Sequence, residues 1–440
     1  MPRRNLRILL FALLLCAMCA PRVSRSARIL WYSMGQIHSR YLVPVDESQL
    51  FEGAMTGMTA ALDDYSTYVP ASVLEQFNEQ IDREFGGLGI EIRVDPETKY
   101  LTIASPLVGT PAHEAGLLAG DRILRIDDQS TQGLSIEDAA ERLRGAEDEP
   151  VTLTILSKGQ EKPRDVDLVR AIVHIDTVLG DTRQPDGTWN YRLEAHPHIA
   201  YLRIDSFGDQ TGEEMRRVVA QQIDTGAAGL ILDVRDNPGG LLPAAIDICD
   251  LFVDPNCPPP PVSIQTPVVP GLIVTTRNRH GHILREYFAH SDGTINSLPM
   301  VVLVNGESAS ASEIVAGCLQ DHQKAIIVGE RSFGKGTVQE LLDLHPDQGL
   351  LKLTTASYWR PSGRDINRRD DVDQWGVSPN EGCQVPLEEQ ERTDWRIARR
   401  MRDVAQSYTE QELENEDVPD FNDRQLDTAI QILQEQIDNQ

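Results

Sequence analysis

Apolar residues recur at helical spacing from residue 27 to residue 80, with Leu50, Met55, Met58, Ala61 and Leu62 as the clearest stripe. That pattern predicts helices, interrupted at Gly53 and Gly57. From Phe85 the period changes. Short β-rich runs follow at Ile90–Val94, Leu101–Ala104, Arg122–Ile126 and Val151–Leu156. One helix is predicted among them, starting at Ser135 with Asp138 as a capping-box variant and stopping at Gly145. This β-rich block closes near Arg170.

From Ile172 the pattern changes again. Ile199–Ile204, Gly229–Val234, Met300–Val304 and Ala325–Gly329 are predominantly apolar runs that read as buried strands. Helical stretches at Gly212–Ile223, Leu241–Leu251 and Ser312–Gln320 fall between them. Strands alternating with helices predict a parallel sheet with α/β crossovers. A β segment returns at Leu351–Tyr358. From Cys257 to Pro270 the chain is proline-rich and without period, which predicts an extended loop. From Asp403 onward eleven acids face one base, Arg424, so 410–420 reads as a solvated linker. Ala429, Ile430, Leu433 and Ile437 then restore an apolar helical stripe.

The 440 residues correspond to roughly two to four domains. With 41 basic against 68 acidic residues the formal charge is −27, which repels phosphate backbones and argues against a nucleic-acid partner. Only six bases are lysines: Lys99, Lys158, Lys162, Lys324, Lys335 and Lys352. Arginine stays protonated in proteins, so chemistry that needs a neutral amine has few candidates here. No paired CxxC motif and no HExxH motif occurs, so no metal site and no cofactor is expected.

Arg3, Arg4 and Arg7 precede an uncharged, mainly apolar run from Ile8 to Ala20, and Ala17-Met18-Cys19 offers a small-x-small cleavage site. The expectation is export to a periplasmic or other extracytoplasmic place, with residues 1–20 as a cleaved signal peptide or a retained membrane anchor. Such an anchor is the only membrane contact expected. An oxidising compartment would allow a Cys249–Cys257 bridge.

Two loops follow buried strands and open helices. One is Asp236-Asn237-Pro238-Gly239-Gly240; the other runs from Asn305 to Glu313 and carries Ser308, Ser310 and Ser312. Ligands of open α/β sheets sit beyond the carboxyl ends of the strands. Helix starts there present free N–H groups suited to a developing oxyanion. Ser312 fits a plain N-cap. Lys335, flanked by Gly334 and Gly336, lies 25 residues beyond Ser310. A serine and a lysine form a nucleophile–base pair without histidine if burial keeps the amine neutral. The ten histidines are scattered, and the serine loop is not a GxSxG elbow.

Taken together, these pieces resemble the carboxyl-terminal processing, or tail-specific, proteases. The similarity runs through Val45–Ser66, residues 85–170, the glycine turn 229–240, the serine loop 308–313, the lysine loop 332–339 and the strand region 351–363. The resemblance implies Ser310 as nucleophile, Lys335 as general base and Gln339 as the residue that orients the lysine. It implies Gly240 or Gly239, with Ala311, as oxyanion donors, and Asp321 as a supporting acid. Residues 85–170 resemble a PDZ domain whose loop Gly87-Leu88-Gly89-Ile90 binds a carboxylate, with the substrate tail adding as a strand beside Ile90–Val94.

The implied fold is multidomain α+β. A PDZ domain, 84–171, is inserted between an N-terminal helical region, 27–83, and an α/β serine protease core, 172–382. The core has a β-rich extension, a proline-rich insertion at 256–270 and an acidic C-terminal helical tail, 383–440. The implied function is an exported serine endopeptidase that acts on proteins with a free C-terminus. The rival is a catalytically inactive PDZ scaffold that only binds tails. The sequence leaves open whether the chain pairs as a homodimer.

Overall fold

The computed structural model describes residues 24–95, 98–107, 109–184, 187–256, 270–290, 294–295, 298–345, 348–369, 371–404, 419 and 421–439. The expected signal segment, the linker at 410–418 and nearly all of the proline-rich insertion lie outside them, as does Cys257. The chain divides into two units, Met1–Ser72 with Glu340–Leu353, and Val73–Gln339 with Thr354–Gln440.

In the first unit two helices form, Arg25–Arg40 and Glu47–Thr59. Ser24 caps the first by accepting from Ala27 N–H, and Asp46 caps the second through Ser48 N–H. The expected helical region is broken by a strand, Thr67–Val69, which pairs antiparallel with Leu350–Lys352. Its Tyr68 and Val69 are buried, and Tyr68 meets the edge of the Phe51 ring. Aromatic and β-branched side chains against a partner strand outweigh the local helical pattern.

In the second unit, five strands of a six-stranded antiparallel sheet run in the order 90–94, 101–106, 122–126, 150–156, 164–169, and the short sixth, Gln129–Ser130, pairs with 122–126. Leu101, Ile103, Ile123, Leu153 and Ile155 form its core with Leu88 and Ala139. The helix Ile136–Leu143 is capped by Ser135, whose side chain accepts from Asp138 N–H. Ile90–Val94 stands at the edge of this sheet, paired on one side by Leu101–Pro106.

Four strands of the same unit run parallel in the order His196–Ile204, Gly229–Asp233, Met300–Val304, Ala325–Gly329. Alternate residues face opposite ways. Ala200, Leu202, Leu230, Leu232, Val302 and Val304 pack against the helices Thr211–Asp224, Leu242–Phe252 and Ala311–Asp321. Ile199, Tyr201, Ile231, Val301 and Leu303 face the helix Arg424–Asp438 through Ala429 and Leu433. Both faces are covered, which is why these strands read as continuous apolar runs. Cys249 and Cys318 are free and buried, and their thiols meet across two of these helices. No helix among the described residues is long and apolar enough to cross a membrane.

Candidate active site

The parallel order brings the loops after Gly229–Asp233 and Met300–Val304 side by side. Side chains then stitch them together. Asn305 Oδ1 accepts from Asp236 N–H at 3.0 Å, and Asn305 Nδ2 donates to Asp236 Oδ1 at 2.8 Å. Ala309 N–H donates to Asn237 O at 3.0 Å.

The three serines of the second loop separate in role. Ser308 Oγ donates to Val234 O at 2.7 Å and accepts from Asn305 N–H at 2.9 Å. Ser312 Oγ donates to Asn237 O at 3.0 Å. Both residues are fully buried, and both hydroxyls tie the serine loop to the glycine turn. Ser310 retains 8% exposure and has φ 54°, ψ −112°. A non-glycine residue held at positive φ stores strain, and such residues concentrate at working sites. Without the GxSxG sequence, the chain still makes a sharp strand–turn–helix elbow with a serine at its tip. Ser310, rather than Ser312, occupies the N-cap of Ala311–Asp321, which corrects the sequence assignment.

Glu313 stands at the third helical position. Its Oε2 accepts from Ser310 N–H at 2.9 Å, the returning half of a capping box. It also accepts from Lys335 N–H at 2.8 Å through the same atom. Oε1 accepts from the Ser332 hydroxyl at 2.6 Å and from Gly334 N–H at 2.7 Å. Burial pushes the carboxyl up to about 7, against the pull of these four donors. The backbones of Ser310 and Lys335 are therefore within hydrogen-bond reach of one oxygen atom. The lysine loop is further held by Phe333 N–H on Ser308 O at 3.0 Å. Lys335 itself is half-buried. The side-chain nitrogen of Gln339 donates to Thr337 Oγ1 and Thr354 Oγ1 at 2.9 and 3.2 Å.

The glycine turn lies directly against the elbow. Gly239 has φ 100°, and a Cβ there would stand 2.7 Å from Ala309 O and 2.8 Å from Ser310 Cβ. Only glycine fits. Its N–H, however, donates to Asn237 Oδ1 at 2.8 Å. Of the two glycine amides expected at an oxyanion, Gly239 is thus already engaged.

Beneath the turn, Arg235 and Asp233 are both buried, with Nη2 to Oδ2 at 2.6 Å. Tyr201 Oη donates to Asp233 at 2.6 Å. Arg235 reaches on to Asp423 and Gln425, each at 3.0 Å, and lies over the Trp395 ring. Burial alone would raise Asp233; the Arg235 guanidinium, with Tyr201, holds it below the ordinary carboxylate range. Asp321 does not support the serine. It closes the other end of the helix that Ser310 opens, about 16 Å along the axis, and its carboxylate binds Arg360.

In the antiparallel sheet, Leu88 is buried, and the carbonyls of Leu88 and Gly89 accept from Ala112 and Leu107 N–H at 3.0 and 2.9 Å. Gly89 has φ 70°, and a Cβ would meet the Thr110 side chain at 2.3 Å. The loop Gly87–Ile90 thus leads tightly into the open edge strand. Among the described residues no group of three or more His, Cys, Asp or Glu side chains is gathered as a metal ion would need.

Residues 198–381 match peptidase family S41, and residues 102–157 match the PDZ domain family. The first match contains Ser310, Glu313 and Lys335; the second begins beyond Gly87–Ile90. A carboxy-terminal-processing protease of Bartonella bacilliformis is 36% identical over 358 residues, covering 80% of this chain and 74% of that protein. A carboxyl-terminal-processing protease of Synechocystis is 38% identical over 307 residues, covering 69% of this chain and 64% of that protein. The solved structure of a photosystem II D1 C-terminal processing protease shares 30% identity over 84% of this chain and 90% of its own, with a TM-score of 0.43.

Proposed function

This chain belongs to the carboxyl-terminal processing proteases of peptidase family S41, and from there we propose that it is an exported serine endopeptidase cutting proteins near their C-termini. Ser310 is the nucleophile and Lys335 the general base. The observation that carries this reading is the division of labour in the serine loop. The Ser308 and Ser312 hydroxyls are spent on backbone carbonyls, whereas Ser310 sits on the strained turn.

In the proposed cycle the neutral Lys335 amine takes the Ser310 proton as Oγ attacks the scissile carbonyl. The amides of Gly240 and Ala311 donate to the oxyanion. Protonated Lys335 then gives its proton to the leaving amine. Water, deprotonated by the same lysine, releases the acyl group from Ser310. Gln339 orients the lysine through its carbonyl oxygen, since its nitrogen is held by two threonines. The substrate tail adds as a strand beside Ile90–Val94, with its carboxylate at Gly87–Ile90. Export is supported by the basic and apolar pattern of residues 3–20.

The test is alanine replacement across the triplet with fluorophosphonate labelling. Ser310→Ala should lose both labelling and cleavage, while Ser308→Ala and Ser312→Ala keep both at reduced levels. Labelling that persists in Ser310→Ala and disappears in Ser312→Ala overturns the assignment.

A further inference from the structure

Glu313 has more partners than a helix cap needs. A capping glutamate has to meet only the Ser310 N–H, and its remaining lone pairs can face water. Here the side chain is fully buried, and its other three donors come from 19, 21 and 22 residues further along the chain. Those donors are all in the lysine loop. We propose that Glu313 is a positioning residue that fixes the spacing of nucleophile and base, acting as a strut between the Ser310 turn and the Lys335 loop. This rests on the Ser310/Lys335 reading above and names a third side chain that the reaction depends on.

The chemistry of the partners demands a carboxylate. Three are backbone N–H groups, which can only donate. The fourth, the Ser332 hydroxyl, already accepts from Val377 N–H at 2.7 Å, so its proton points to Glu313. An amide in this place would turn an N–H₂ toward donors whichever way it flipped. An aspartate would fall one methylene short of the lysine loop. Either change leaves the two loops attached to their own strands and still joined by the Phe333 N–H bond to Ser308 O, but it loosens the spacing between Ser310 and Lys335. Misplacing a reacting group by about 1 Å costs roughly 100-fold in rate. Capture of a substrate tail at residues 87–94 uses none of these atoms.

The experiment compares Glu313→Gln and Glu313→Asp with Ser310→Ala and Lys335→Ala, using β-casein cleavage and a labelled free-acid peptide for tail binding. Glu313→Gln should lower kcat by roughly 100-fold, slow fluorophosphonate labelling of Ser310, and leave KM and peptide binding within twofold. Wild-type kcat in Glu313→Gln, with Ser310→Ala and Lys335→Ala inactive, overturns the strut and leaves the dyad standing. Activity surviving in Ser310→Ala or Lys335→Ala overturns the dyad itself. A fall in kcat matched by equal losses of tail binding and melting temperature also refutes positioning, because it reports general unfolding. If Glu313→Gln does not fold, Ser332→Ala removes one of the four donors and keeps the carboxylate. That variant should lose roughly tenfold in kcat at constant KM, and full activity in it overturns the proposal.

Discussion

Between about pH 4.5 and about pH 7 the strut should cost the fold stability. Glu313 is held at about 7 by burial, above its ordinary value of 4.5. A carboxyl raised in this way keeps a proton in the folded chain that the unfolded chain has already released. Stability therefore falls as pH rises from about 4.5 to about 7 and is level above that window. Each tenfold change in proton affinity is worth about 1.4 kcal/mol, so the full fall attributable to Glu313 is roughly 3 kcal/mol. The carboxylate that forms at the top of the window is the form that can accept from all four donors. Activity should therefore rise where stability falls. The assay is urea unfolding at half-unit pH steps, for the wild type and for Glu313→Gln. The variant has its own fixed offset, so the slopes are compared, not the absolute values. A flatter stability profile in the variant is expected across the window. Parallel profiles would show that Glu313 does not titrate there and would refute the reasoning.

Lys335→Arg should be inactive at every pH up to 9, because a guanidinium does not give up its proton in that range; turnover near wild type would require a different base. Gly239→Ala should cut kcat by roughly 100-fold with tail binding intact, because its Cβ would stand 2.8 Å from Ser310 Cβ at φ 100°; unchanged kcat would mean that the turn relaxes freely. Amidating the C-terminus of a tail peptide should weaken binding at least tenfold, since a neutral end offers the Gly87–Ile90 loop no carboxylate. Equal affinity for the free-acid and amidated forms would remove the carboxylate from the recognition.

The buried strands were readable because they are covered on both sides. Met300–Val304 and Ala325–Gly329 end where their apolar runs end. The helix Glu389–Val404 falls inside the helical tail expected over 383–440, but its bounds and buried face are hard to read because it is densely charged: Trp395 and Met401 are buried among arginines that pair with acids elsewhere in the fold, as Arg399 does with Asp181. Ser310 and Ser312 compete for one cap, and local sequence cannot tell which of two good caps a strained turn will choose. The pattern Ser310-x-x-Glu313 is a capping-box signature and could have drawn attention to the glutamate. Its tie to the lysine loop had no local trace, since the donors arrive from beyond a helix and a strand. Asp321, implied by the resemblance alone, ends the eleven-residue helix that Ser310 opens and pairs with Arg360, a placement that nothing in the local sequence marks. Gly239 is a similar case: the Asn237 side chain folds back onto its amide, and only the folded turn reveals that.

The strained serine sets the fold against its own activity. A residue held at positive φ costs on the order of 1–3 kcal/mol, and Ser310 bears that cost at φ 54°. Glycine would occupy the same turn with less strain. Ser310→Gly should therefore raise the melting temperature while ending turnover. If Ser310 is the nucleophile proposed above, it is a residue that only selection for cleavage maintains. On that reading a lineage released from the selection gains stability by losing it first, with the antiparallel sheet proposed to capture tails and the Arg235 network untouched. What descends from such a loss is a folded protein that holds substrate ends without cutting them. The step from protease to binding scaffold is downhill in folding free energy, and the reverse step is uphill.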